Sequence, residues 1–185
     1  MDLPPETRER LHGLYRSRVD SYPGVDAAYG QRWRAWCRKL LTFGGALVVP
    51  PGSPESDLDA LLADGSAVDA RVEFVAGEPG ECHHNVAALW IDGAIASIGT
   101  GYALSGDGLW RQHSWGLTRD GVLVETTDDR VGYVGITLPA RARTMQFAGS
   151  NAQEHLKTAL RRRDDRSAEL VLMIRELAGA RARPA

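Results

Sequence analysis

The chain has 185 residues, 43% of them hydrophobic and 25% charged, which is ordinary for a globular protein with its own core. Twenty-two basic against 24 acidic side chains leave a formal net charge of −2, so no electrostatic reason exists to expect nucleic acid or a membrane surface as a partner. No apolar run approaches the roughly 20 residues that span a bilayer, and the first residues lack an export signal, so a cytoplasmic chain with reduced thiols is expected.

In chain order, the first segment reads as two helices. Pro4-Pro5 opens one whose partial stripe is Leu11, Leu14, Tyr15 and Val19, before the break at Tyr22-Pro23-Gly24. Tyr29, Trp33, Trp36, Cys37, Leu40 and Leu41 then recur at helical spacing, ended by Gly44-Gly45. Ala46–Val49 is a short strand candidate. Ser53, with Pro54 following it, reads as the N-cap of a short helix through Leu58, Leu61 and Leu62.

Past Asp64-Gly65 the texture changes. Ala70–Val75 alternates like a half-buried strand, Gly77–Gly80 reads as a turn, and Glu81–Trp90 as a short helix. Four strands are expected at 95–104, 109–118, 122–126 and 133–138, with Asp107-Gly108 and Asp120-Gly121 as hairpin signals at the first two joints. Tight joints imply an antiparallel meander. Helix returns at the end. Asn151 reads as a cap for Leu156 and Leu160, Ser167–Ala178 carries an apolar stripe, and the chain is expected to fray from Gly179. The pattern is α+β: a central helix packed on an antiparallel sheet, flanked by N- and C-terminal helices. One domain over 1–185 is expected, with a core at about 70–138 and helical extensions at 1–65 and 150–180.

Within the core, Cys82 stands at the start of the central helix, His113 lies in one strand and Glu125 in the next. A helix N-terminus and a nearby imidazolium both favour a thiolate, and a nucleophilic thiol needs a base which a third group orients. About the Asp120-Gly121 turn, Leu117/Thr118 would face Val122/Leu123. Glu125 would then oppose Trp115 and lie diagonal to His113, within reach of a long side chain.

The runs Glu81-Cys82-His83-His84-Asn85-Val86, Gly101-Tyr102-Ala103-Leu104, His113-Ser114-Trp115, Val124-Glu125-Thr126 and Tyr133-Val134-Gly135 resemble the papain-like cysteine superfamily, in particular its compact transglutaminase-like branch. The resemblance covers about 70–138. It implies Cys82 as nucleophile, His113 as base and Glu125 as orienting acid, with glutamate where that branch usually carries aspartate.

An oxyanion would meet the Cys82 backbone N–H, with Asn85 or Gln112 as side-chain donor. Tyr102, Trp110 and Trp115 would line an acyl groove or pack the sheet. One of His83 and His84 would contact substrate or be a solvated surface residue. Cys37, among tryptophans, reads as core.

The expected function is a cysteine-dependent hydrolase or acyl transferase acting on a small-molecule or peptide amide or ester through a Cys82 thioester, with no cofactor and no metal. The alternatives are a non-catalytic module of the same fold and a zinc-binding protein, the latter disfavoured by the absence of paired ligand spacings. The flanking helices leave a homodimer open.

Overall fold

The computed structural model describes residues 4–138 and 141–181. The last four residues of the expected frayed end lie outside these, and helix continues through Arg181. In chain order, α1 is Pro5–Asp20, α2 Ala27–Leu41, β1 Leu47–Val48, α3 Leu58–Asp64, β2 Ser66–Ala67, β3 Val72–Phe74 and α4 Cys82–Ile91. Four further strands follow: β4 Ser97–Leu104, β5 Leu109–Leu117, β6 Leu123–Glu125 and β7 Gly132–Thr137. The chain ends with α5 Arg141–Asn151, α6 Gln153–Arg161 and α7 Asp165–Arg181. This is an α+β architecture with a mostly antiparallel sheet.

The strand order is β2-β7-β4-β5-β6-β3, with β1 paired to β5. Two features depart from a simple meander. First, β7 does not follow on from β6 but returns beside β4; the Val131 N–H bonds the Leu104 carbonyl at 2.7 Å, and the Leu138 N–H bonds the Ile98 carbonyl at 2.9 Å. The joint between β6 and β7 carries no tight-turn dipeptide, so nothing local forces those two strands to pair. Second, β1 and β3 pair in parallel, with β5 and β6 respectively. A parallel partner is distant in sequence, and no turn chemistry announces it.

The chain forms two compact units, and β4 and β5 contribute residues to both. The first comprises Met1–Asp69, Thr100–His113 and Asp129–Ile136. Its core holds four residues of the stripe expected on α2, Tyr29, Trp33, Trp36 and Leu40, together with Leu58, Leu61, Tyr102, Trp110 and Val134. Of the other two, Cys37 packs against this core half-buried and Leu41 is exposed. Asp26 caps α2 by accepting the Tyr29 N–H at 2.8 Å. Gly101, at φ +158°, lies where the backbone runs against β7, and a Cβ there would sit 2.3 Å from the Val134 carbonyl oxygen. Of the α1 stripe only Val19 is buried, while Leu14 is exposed. The short helix starts at Leu58 rather than at Pro54, which leaves Ser53–Asp57 outside it.

The second unit comprises Ala70–Gly99, Ser114–Asp128 and Thr137–Ala185. Its core joins Val86, Ala87, Trp90 and Ile91 of α4 to Ile98, Val124, Met145, Ala148, Leu170 and Met173. α5 was not anticipated from the sequence. Its last residue, Asn151, donates from Nδ2 to the Phe147 carbonyl at 2.9 Å, so it closes α5 and does not cap α6. β3 also differs from expectation. Val72, Glu73 and Phe74 are all exposed, because β3 ends the sheet and has a neighbour only in β6.

Candidate active site

Cys82 is the first residue of α4 and is 7% exposed. The segment that delivers it is fixed at three points. The Val75 N–H bonds the Glu125 carbonyl at 2.9 Å, and the Gly77 N–H bonds the Thr126 carbonyl at 3.0 Å. The Asn85 side chain then closes on the backbone of Glu78 from both ends, Oδ1 accepting its N–H at 3.1 Å and Nδ2 donating to its carbonyl at 2.9 Å. Gly80, at φ +78°, makes the turn into the helix that a residue with a Cβ would resist. The start of α4 is thus tied through a bonded segment to the end of β6, where the acid sits. Glu81 at the N-cap makes no side-chain cap hydrogen bond, so it does not occupy the amides of the first turn.

Glu125 closes β6 and is 1% exposed, which excludes a solvated surface charge. Its Oε1 accepts three hydrogen bonds: from the Thr126 N–H at 2.8 Å, the Thr127 N–H at 2.9 Å and the Thr127 hydroxyl at 3.0 Å. These hold the carboxyl in one orientation. In the β5–β6 ladder Leu117 faces Leu123 and Gly116 faces Val124, the register that the Asp120-Gly121 turn predicts. His113 lies in β5 and belongs to the first unit; it is 2% exposed, with its ring 6.2 Å from that of Tyr133.

The remaining candidates each have a defined place. Asn85 is occupied with Glu78. Tyr102 is completely buried, its ring against Trp33 and Trp36, and its hydroxyl donates to Glu55 Oε2 at 3.0 Å. Gln112 donates from Nε2 to the same oxygen at 2.8 Å. Trp110 is buried and donates to the Gly44 carbonyl at 2.8 Å. Trp115 is buried over Gly99, where a Cβ would come within 2.1 Å of its indole nitrogen. His83 Nδ1 lies 2.7 Å from Ser114 Oγ, and the ring meets Phe147 edge-on. His84 Nδ1 lies 3.0 Å from the Asn151 carbonyl. Both histidines are therefore half-buried and bonded, not solvated surface residues.

The residue the sequence did not reveal is Glu55. It is buried, accepts Tyr102 and Gln112 on one oxygen and the Asp57 N–H on the other at 3.2 Å, and its backbone N–H bonds the Tyr29 hydroxyl at 2.8 Å. Burial pushes its carboxyl up from the ordinary value of 4.5, against the hydrogen bonds that favour the ion. Burial likewise raises the Tyr102 phenol well above its ordinary value, with the Glu55 charge next in effect. Locally Glu55 looks like a first-turn acid of a short helix, so no sequence signal distinguishes it.

Cys37 is partly buried, and desolvation pushes its thiol up to about 12. On the second unit a cleft of about 340 Å³ is bounded by Ala76, Gly77, Glu78, His84, Ala88 and Thr126, on the flank of the segment that leads to Cys82. Among the described residues no group of three or more His, Cys, Asp or Glu is arranged to hold a metal ion, and no helix is long and apolar enough to cross a membrane. Comparison with family models, with curated proteins and with solved structures returns no match.

Proposed function

We propose that this chain is a cysteine-dependent hydrolase or acyl transferase of the papain-like, transglutaminase-like type, in which a central helix bearing Cys82 packs on the sheet. Cys82 is the nucleophile, His113 the base and Glu125 the acid that orients it. The observation that carries the reading is the anchoring of the Cys82 segment to the carbonyls of Glu125 and Thr126, at the end of the strand whose carboxyl is held by three hydrogen bonds. A buried carboxyl held that firmly suits an orienting role, which depends on fixed geometry.

The chemistry follows from those roles. His113 takes the proton from the Cys82 thiol as sulfur attacks the carbonyl carbon of an amide or ester. The S–C bond forms, the carbonyl becomes an oxyanion, and first-turn amides of α4 stabilise it. The tetrahedral species collapses, the C–N or C–O bond breaks, and His113 returns its proton to the departing amine or alcohol. Water or an amine then attacks the thioester, again with its proton passing through His113, and frees the thiol. The cleft on the flank of the segment leading to Cys82 is not lined by Cys82, His113 or Glu125, so it offers room only to a part of the substrate remote from the reacting carbonyl.

The test compares kcat/KM for a panel of activated esters and amides across the natural chain, Cys82→Ala, His113→Ala and Glu125→Gln. The reading predicts no turnover with Cys82→Ala and a loss of about 10²–10⁴-fold with His113→Ala. Glu125→Gln is expected to lose activity with retained fold. Turnover unchanged by Cys82→Ala contradicts the reading. Ligand binding without turnover in the natural chain marks a binding module of the same fold.

A further inference from the structure

The first unit carries a second cavity that the proposed chemistry does not use. It encloses about 270 Å³ among α1, α2 and β1. Trp33, Cys37, Leu47 and Val48 supply apolar lining, and Leu41, exposed and apolar, also borders it. Burial keeps the Cys37 thiol protonated up to about 12, so it meets a ligand as a small neutral hydrophobe.

The charged lining has a different character. Arg16, Arg34 and Arg38 all border the cavity and all are exposed, against one acid, Asp20. Among the described residues none of these three guanidiniums makes a hydrogen bond or an ion pair. Other arginines of the chain are paired, Arg32 with Asp59 at 3.3 Å, Arg111 with Asp107 at 2.6 Å and Arg162 with Asp92 at 2.7 Å, while Arg8 and Arg119 stand unpaired among the described residues, away from any such cavity. What sets Arg16, Arg34 and Arg38 apart is that all three border one apolar cavity. Three unneutralised guanidiniums gathered around one apolar cavity therefore form a local positive field next to a surface that gains by excluding water.

We propose that this cavity binds a small anionic amphiphile, a medium-chain acyl carboxylate whose hydrocarbon lies against Trp33, Cys37 and Val48 and whose carboxylate meets Arg16, Arg34 and Arg38. Size fits the hydrocarbon. A cavity of about 150 Å³ holds a benzene ring, so by proportion 270 Å³ takes about ten carbon atoms. Charge fits the head group, since a guanidinium presents two parallel donors to the two oxygens of a carboxylate. This site lies wholly within the first unit, in residues other than Cys82, His113 and Glu125, and its test does not depend on catalysis.

The test is calorimetric titration of the full chain with octanoate, 1-octanol and acetate, read in parallel by the change in tryptophan fluorescence. Octanoate is expected to bind saturably at one site, 1-octanol at least about tenfold more weakly, and acetate without measurable heat. The double variant Arg34→Glu/Arg38→Glu is expected to weaken octanoate at least about tenfold and leave 1-octanol unchanged. Arg16→Glu provides an independent variant if the double one does not fold. Octanoate that fails to bind, that binds no better than 1-octanol, or that is indifferent to these charge reversals overturns the proposal.

Discussion

Removing the Glu55 side chain tests the buried polar network of the first unit. In Glu55→Ala the Tyr102 hydroxyl and the Gln112 amide lose their shared acceptor, and the Asp57 N–H loses its own. Tyr102 is completely buried, so water cannot replace the lost partner, whereas Asp57 and Gln112 are only half-buried. A stranded buried donor costs about 1–3 kcal/mol, and the space left by the truncated side chain adds to it. A total of about 3 kcal/mol corresponds to a fall in Tm of roughly 6–12 °C for a chain of this size.

The cost depends on pH, with a definite sign. The folded state raises the Glu55 carboxyl above its ordinary value of 4.5, chiefly by burial, so the folded chain binds more protons than the unfolded one. This contribution to stability is fully present below 4.5 and is lost as pH rises through the higher folded value. Glu55→Ala lacks that dependence, so the gap between natural chain and variant is widest in mild acid and narrows above. Thermal unfolding followed by circular dichroism from pH 4 to 8 measures both. A gap smaller than about 1 kcal/mol in mild acid, or one that widens with rising pH, refutes the reasoning.

Asn85→Ala releases both hydrogen bonds that hold Glu78 and is expected to lower stability by about 1–3 kcal/mol in urea unfolding, with ester turnover falling as well because the segment before Cys82 loosens. An unfolding midpoint that does not move contradicts the clamp. In Gly99→Ala the new Cβ falls within 2.1 Å of the buried Trp115 indole, so a loss of about 1–3 kcal/mol is expected by the same assay, together with a change in tryptophan fluorescence. Because its thiol stays protonated up to about 12, Cys37 in the folded chain is expected to resist iodoacetamide at pH 8, and peptide mapping that finds it carboxamidomethylated ahead of unfolding counts against its burial.

What could be read from the sequence was what local chemistry dictates. The α2 stripe, the helix beginning at Cys82 and the β5–β6 register each follow from a spacing or a turn within a short window. What escaped depends on partners far apart in the chain. β7 returns to β4, and β1 and β3 add parallel pairs, because those contacts satisfy burial at long range with no turn to signal them. The roles of Tyr102 and Gln112 escaped for the same reason: the acceptor they share, Glu55, lies well upstream. The helical flanks also have more content than their sequence suggested. The N-terminal one supplies most of the first unit's core and the arginine-lined cavity, and the C-terminal one supplies Leu170 and Met173, beside Met145 and Ala148 of α5, to the core that holds α4.

The central claim is that Cys82 is an acyl-accepting nucleophile served by His113. Intact-mass analysis after brief exposure to an activated acyl ester at neutral pH tests it directly. The account predicts a single acyl adduct, mapped to Cys82, that disappears on further incubation with water or an amine. The adduct is absent in Cys82→Ala and forms about 10²–10⁴-fold more slowly in His113→Ala. An unmodified Cys82, or an adduct whose rate is indifferent to His113, contradicts it.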